Sequence, residues 1–346
     1  MTASPHAPQV AAATDDHGPG RAPVTDRVLT VVHGEGKAVP ESFGRLADTA
    51  AEVRYVTSEG LARALPGTHA VLMWDFQSTA LRDAFDRADR LEWVHAASAG
   101  VDRIVFPALR DSGVTLTNAR GTFDRPIAEF VLSFLLMFAK DMPRSLVDQA
   151  GRVWRHRETE DLTGTRVMVA GTGAIGREIA RLLRAVGLEV RGAGSYARTG
   201  DPDFGDIVDS ADLAAHVTDV DWLVNVAPLT PATTGYIGRS VFDALPAHAR
   251  FVNVGRGDSV VTADLVAALE SGSIAGAGLD VVDTEPMPAE HPLWSTPNTL
   301  ITPHMSGDTQ GWSERLAVQF LENWDRYVAG EPLHNVIDLE KGYARA

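Results

Sequence analysis

The chain contains no cysteine, which removes disulfides and thiolate-bound metals at once. Basic charge is also scarce. The 31 Lys and Arg stand against 46 Asp and Glu, a formal net charge of -15, so the basic footprint of a nucleic-acid surface is missing. No apolar run is long enough to span a bilayer. The longest, Phe130 to Ala139, is bounded by Glu129 and Lys140 and reads as a buried helix. The 11 His are scattered and fall at no spacing that pairs them with acids as metal ligands, so no metal site is expected. The opening residues lack a basic stretch followed by an apolar core, so they do not read as a secretory leader. Their Ala, Pro, Gly and Asp content predicts a disordered tail over residues 1–25, and a cytoplasmic protein is the default expectation.

What remains is a globular composition in 346 residues, enough for two cores. From Arg27 strand and helix patterns alternate. VLTVVHG, EVRYVTS, HAVLMWD, LEWVHAAS and VTLTNAR read as strands; LARAL, TALRDAFDRA and VDRIVFPALRDSG read as helical stretches between them. Such alternation predicts a parallel sheet covered on both faces, ending near Arg120. One long helical pattern follows from Arg125 to Trp154, more apolar than a surface helix needs, and suggests a connector that also meets a second subunit.

A second α/β series opens at Arg166. RVMVAG, EVRGAG, WLVNVA, RFVNVG, AGLDVV and TLITPH read as strands, and Thr262 is a plausible N-cap of the helix ADLVAALESG. Gly171, Gly173 and Gly176 have the GxGxxG spacing between a strand and a helix. There the first glycine makes the turn, the second admits a pyrophosphate to the backbone, and the third lets helix and strand pack. Ala174 and Ile175 fall inside that loop. After His304 a helix leads to an ending with no strand partner in this series, so the C-terminus is expected to return to the first sheet. The predicted fold class is α/β with two doubly wound parallel-sheet domains, one Rossmann-type and one flavodoxin-like, facing each other across a cleft. Residues 26–120 and 305–346 would form a discontinuous substrate domain, and 121–304 the dinucleotide domain.

Three strand ends of the second series carry groups costly to bury without purpose: Arg256 in VNVGRGD, Glu285 in GLDVVDTEP and His304 in ITPHMSGDT. They should converge on one rim. A guanidinium offers a planar fork to a carboxylate. An imidazole exchanges protons near neutrality, and a carboxyl against it fixes its tautomer and favours its protonated form.

The segments WVHAASAGVD, VMVAGTGAIG, VAPLTPATTGYI, VNVGRGDSVV, GLDVVDTEP and TPHMSGDT, in this order, resemble the D-isomer-specific 2-hydroxyacid dehydrogenases, in particular their glyoxylate/hydroxypyruvate reductase-like branch. The resemblance runs from about Val71 to His334. It implies hydride exchange between a nicotinamide cofactor and a 2-oxo or D-2-hydroxy acid. In it Arg256 binds substrate, Glu285 is the relay acid and His304 the acid/base. Asp280 would accept from the carboxamide, and Ala227, Pro228, Thr233, Val254, Gly255 and Gly307 would line the cofactor. The backbone of Ser98, Ala99, Gly100 and Val101 would grip the substrate carboxylate, as successive amides beside small side chains can. Trp74, within MWDFQ, would face the same pocket. The resemblance also implies a homodimer.

Cofactor choice is decided after the second strand of the nucleotide unit. Gly194 stands where an acid would bind a ribose 2′-hydroxyl, and Ser195, Arg198 and Thr199 follow, so the reading leans to NADP over NAD. Two other readings share the architecture: a nucleotide-sensing corepressor-like protein, and a phosphite dehydrogenase-like enzyme, which would add a Lys near Met73 that MWDFQ lacks. Formate dehydrogenases share it too, but pair their His with Gln, where this chain has Glu285.

Overall fold

The computed structural model describes residues 25–340 and 343–344; the tail expected over residues 1–25 lies, but for its last residue, outside the described residues. Two sheets carry the architecture. The first contains β1 (Val28–Val32), β2 (Glu52–Val56), β3 (Ala70–Met73), β4 (Trp93–Ala96) and β5 (Thr115–Asn118) in the order β2-β1-β3-β4-β5, all parallel. The second contains β6 (Arg166–Ala170), β7 (Glu189–Gly194), β8 (Arg198–Asp201), β9 (Gly205–Asp209), β10 (Trp222–Asn225), β11 (Arg250–Asn253), β12 (Gly276–Leu279) and β13 (Thr299–Ile301). Its order is β13-β12-β11-β10-β6-β7-β9-β8. The central strands β3, β4, β10 and β12 are buried at every residue, and they are apolar but for His95 in β4 and Asn225 at the end of β10.

Strand order reverses beside β1 in the first sheet and beside β6 in the second, and loops at the carboxyl ends of strands next to such reversals are where ligands bind. Between the sheets run α1 (Asp124–Ala139) and α2 (Met142–Ala150). The single helix expected from Arg125 to Trp154 is therefore two. The chain breaks at Asp141, which takes a left-handed conformation (φ 46°). α1 buries Ile127, Ala128, Val131, Phe134, Leu135 and Ala139 and packs on α3 (Ala174–Ala185). The final helix, α5 (Trp312–Ala329), lies over the first sheet, with Phe320 stacked at 5.5 Å on Trp93 and Trp324 Nε1 donating to Thr49 Oγ1 at 2.9 Å. His95 of β4 sits in that aromatic layer, 5.3 Å from Phe320, where burial pushes its imidazole down to about 3 and keeps it neutral.

Three other details depart from the sequence reading. VDRIVFPALRDSG is helical only over Pro107–Arg110. Thr262 is not an N-cap: Val261 holds that place, and Thr262 opens α4 (Thr262–Ser271). The polar stretch from Arg198 to Asp209 forms a hairpin, so the second sheet ends on one antiparallel strand, β8. Gly200 and Gly205, both at positive φ (74° and 73°), allow its turns.

Candidate active site

Three glycines follow β6, and each has a physical reason to be there. A Cβ on Gly171, already at φ 117°, would lie 2.7 Å from Ala227 N, and one on Gly176 would lie 1.9 Å from Gly171 O. Those two are required by packing of the turn against the β10 loop and of α3 against its own strand. Gly173 differs, because a Cβ there meets nothing within 4 Å. It is the N-cap of α3, whose first turn receives no hydrogen bond from a capping side chain. An open side at an uncapped helix start fits a pyrophosphate, held by the N–H groups of the Ala174 and Ile175 turn. The Ile175 side chain itself turns inward onto the core.

At the end of β7, a Cβ on Gly194 would come 2.9 Å from Thr172 Oγ1 and 3.3 Å from Ile207. An acid there has no room. Arg198 does not wave into solvent: its Nη2 donates to Thr172 Oγ1 at 3.2 Å, inside the glycine loop, and its guanidinium lies 4.9 Å from the Tyr196 ring. Ser195 and Thr199 are exposed beside it.

The turns after β10 and β11 are fastened by a buried polar network that the sequence reading did not single out. Asn225 Nδ2 donates to Asn253 Oδ1 (2.9 Å) and to Ser259 Oγ (2.7 Å). The carbonyl of Arg256 accepts from Asn253 Nδ2 at 3.0 Å and from Ser259 Oγ at 2.5 Å, which fixes the backbone from which the guanidinium projects. Val254 N bonds to Asn225 O at 3.0 Å, and Gly255 passes so near that a Cβ would lie 3.0 Å from Ala227 O. Thr233 Oγ1 donates to Pro228 O at 2.6 Å and so closes the loop that carries Ala227.

His304 and Glu285 meet. Nδ1 of the imidazole lies 2.7 Å from Glu285 Oε2, while Oε1 of the same carboxylate accepts from Val282 N at 3.0 Å. Burial pushes the Glu285 carboxyl up, but the bond and charge of His304, the Val282 N–H and the Arg256 charge outweigh it and hold it below the usual carboxylate range. An ionised carboxylate can only accept, so Nδ1 carries the hydrogen and Nε2 is the nitrogen left for another partner. His304 sits at φ 51°, a strained conformation for a side-chain-bearing residue, and its N–H bonds to Asp280 O at 2.8 Å. Asp280 is 1 % exposed and organises this loop. Its Oδ1 accepts from Thr302 Oγ1 (2.6 Å) and Met305 N (2.9 Å), and its Oδ2 from Ser306 N (2.9 Å). A carboxamide can reach only the capacity remaining on Oδ2. Gly307 packs on Phe123, where a Cβ would come within 2.7 Å of the ring.

Arg256 faces the first sheet. Its Nε and Nη2 lie 3.1 and 3.0 Å from Asp102 Oδ1, and Nη1 donates to Gly255 O at 2.9 Å. Of five guanidinium donors, one on each terminal nitrogen has no described partner, enough for a carboxylate. Gly100 lies directly against it, for a Cβ there would stand 1.9 Å from Nη2. Asp102 was not foreseen. Its place two residues past Gly100 was visible, but nothing in the sequence linked it to Arg256.

The Ser98–Val101 loop is pinned by Asn118 Nδ2 on Ala99 O (2.6 Å) and by Ser98 Oγ donating to Gly100 O (2.6 Å). The Val101 side chain is core, so only its backbone can address a ligand. In MWDFQ the contact with His304 falls to Phe76, not to Trp74. The ring centroids of Phe76 and His304 are 6.2 Å apart, whereas Trp74 packs edge-on against Phe43 at 5.1 Å, inside the layer under α5. Both residues lie beyond β3, and because a continued strand would put i and i+2 on one face, it is the turn over Asp75–Gln77 that parts the two rings.

Comparison with known proteins bears on the family and the fold. Residues 132–306 match the family model for the NAD binding domain of D-isomer specific 2-hydroxyacid dehydrogenases. A glyoxylate/hydroxypyruvate reductase A of Serratia proteamaculans is 32% identical over 266 residues, covering 73% of this chain and 82% of the relative. Among solved structures, the NADPH-dependent glyoxylate/hydroxypyruvate reductase of Sinorhizobium meliloti, in complex with NADP and sulfate, superposes with a TM-score of 0.77 at 29% identity over 92% of this chain and 100% of that one. A D-isomer specific 2-hydroxyacid dehydrogenase of Xanthobacter autotrophicus, in complex with NADPH and MES, gives 0.75 at 30% identity over 92% and 100%.

Proposed function

Because the chain belongs to the D-isomer specific 2-hydroxyacid dehydrogenases and is an NAD(P)-dependent oxidoreductase of that family, we infer which of its residues carry the reaction. The carrying observation is the convergence of Arg256, the Glu285–His304 pair and the Ser98–Val101 loop at the carboxyl ends of both sheets. The free fork of Arg256 and the amides of the loop take the substrate carboxylate, which orients the neighbouring carbonyl. A nicotinamide cofactor held on the Gly171–Gly176 turn would supply the hydride to the carbonyl carbon. His304 Nε2 gives its proton to the developing alkoxide oxygen, and Glu285 stabilises the imidazolium beforehand. The reverse direction returns that proton from the D-2-hydroxy acid to the ring.

Phe76 against His304 favours a compact substituent on the 2-oxo acid, so glyoxylate and hydroxypyruvate are the substrates we propose. The names of the relatives support the same choice. The test is a panel of 2-oxo acids of increasing size with NADPH and NADH. Highest kcat/KM on the two small acids is expected. Preference for branched or aryl 2-oxo acids would overturn this choice.

NADP is the cofactor we propose, because Gly194 leaves no space for a ribose-binding acid and Arg198 is tied to the glycine loop. Arg198→Ala is expected to lower the NADPH:NADH ratio of kcat/KM by about tenfold or more, as loss of a charge-assisted phosphate contact does. An unchanged ratio would remove Arg198 from the assignment.

We also propose that residues 26–120 and 305–346 form the substrate unit and 121–304 the nucleotide unit, in a cytoplasmic homodimer. Leu136, Met142, Leu146, Val147 and the fully exposed Trp154 give α1, α2 and the following segment an apolar face that supports the dimer. Leu146→Glu combined with Val147→Glu is expected to shift the protein from dimer to monomer in light scattering. A dimer of unchanged mass would place the interface elsewhere.

A further inference from the structure

The β8–β9 hairpin brings two carboxylates into the corner occupied by Arg198. Asp201 Oδ2 lies only 3.6 Å from Arg198 Nη2. An acid at that distance is a liability for a guanidinium that must receive a phosphate dianion, since it competes for the same donors and repels the same ligand. Both acids, however, are already gripped from α3, the helix that opens at the glycine loop. Arg177, the residue after Gly176, meets Asp201 fork to fork, Nη1 to Oδ1 and Nη2 to Oδ2 at 2.8 Å each. The N–H groups of Asp203 and Phe204 also reach Asp201 Oδ1, at 3.1 and 3.3 Å, and the Asp201 side chain is 4 % exposed. Asp203 has a second owner. Arg181, one turn further along α3, holds it through Nε to Oδ1 (2.7 Å) and Nη2 to Oδ2 (3.0 Å), beside a bond from Arg177 Nη1 at 2.7 Å.

We propose that Arg177 is a positioning residue for cofactor choice: by occupying both oxygens of Asp201 it keeps that acid off Arg198, which stays on Thr172 and open to a ribose 2′-phosphate. This rests on the reading of Arg198 as the 2′-phosphate residue. The Arg177 guanidinium holds the Asp201 carboxyl well below the usual carboxylate range, so the acid is charged at any working pH and must have a cation. Without Arg177, Asp201 Oδ2 loses its only close donor among the described residues, and the nearest cation remaining among them is Arg198. Asp203 keeps Arg181, so the disturbance falls on Asp201 alone. Arg198 then swings onto Asp201 and leaves the glycine loop.

The test compares kcat/KM with NADPH and NADH, and calorimetric binding of 2′,5′-ADP against 5′-AMP, in the full-length enzyme. The set is wild type, Arg177→Gln, Arg177→Lys, Arg177→Gln with Asp201→Asn, and Arg198→Ala. Arg177→Gln should lower the NADPH:NADH ratio by about tenfold and weaken 2′,5′-ADP far more than 5′-AMP. Arg177→Lys, with the charge but not the fork, should fall between. Adding Asp201→Asn should recover most of the loss, because a neutral amide no longer draws Arg198 away. General damage to the helix would not be repaired by removing a second partner. A double variant as poor as the single one, or an equal loss with both cofactors, overturns the proposal. If Arg198→Ala collapses the ratio while Arg177→Gln leaves it, only this inference fails. If Arg198→Ala leaves the ratio unchanged, the reading beneath it fails as well.

Discussion

His304→Ala lowers kcat for 2-oxo acid reduction by about 10²–10⁴, the usual worth of a positioned general acid, while binding of the reduced cofactor weakens far less. The asymmetry follows from geometry. The imidazole is anchored through Nδ1 to Glu285 and presents Nε2 outward, so its removal deletes a proton donor without disturbing the glycine loop or α3. Glu285→Gln separates anchoring from charge. The amide can still bond the ring but brings no negative charge to it, so kcat should fall while the ring keeps its place. Stopped-flow reduction of glyoxylate with NADPH reads both variants. Near-normal turnover of His304→Ala would remove this residue from the mechanism.

Arg256→Ala raises KM for the 2-oxo acid by roughly 30- to 1000-fold, equivalent to roughly 2–4 kcal/mol for truncating one side of a desolvated charge pair. Part of that loss comes from Asp102 rather than from the missing clamp. Asp102 Oδ1 holds two guanidinium donors, and once they are gone an uncompensated carboxylate stands where the substrate's own carboxylate must settle. Adding Asp102→Asn to Arg256→Ala should therefore lower KM again, by a coupling of about 1 kcal/mol. Steady-state kinetics of the two single variants and the double one reads it. An unchanged KM in Arg256→Ala would end the clamp assignment.

Much of this was legible in the sequence because it rests on local patterns. A buried strand such as β3 is apolar at every position, and the glycine spacing after β6 records steric contacts within a dozen residues or with one adjacent loop. Arg256, Glu285 and His304 announce themselves as charges at the ends of apolar runs. What stayed hidden depends on distant partners. Asp102 lies 154 residues from Arg256, and Trp74 and Phe76 differ only in which side of a strand end each ring takes. The β8–β9 hairpin buries Phe204 and Ile207, but most of its hold on α3 comes from Asp201 and Asp203, whose arginine partners lie a strand and a helix away. The break at Asp141 joins one left-handed residue to Pro143 in the first turn of the next helix, a proline that the apolar pattern alone passes over.

The stacking of Phe320 and Trp324 on Trp93 has a consequence for biosynthesis. The first sheet leaves the ribosome before the second, yet one of its apolar layers is sealed by a helix made only after both sheets. The later-made β6–β13 sheet, whose strands are contiguous in the chain, can close while the first is still waiting. Nascent chains stalled before Trp312 should then expose Trp93 and its neighbours, making them clients for chaperones that bind aromatic surface.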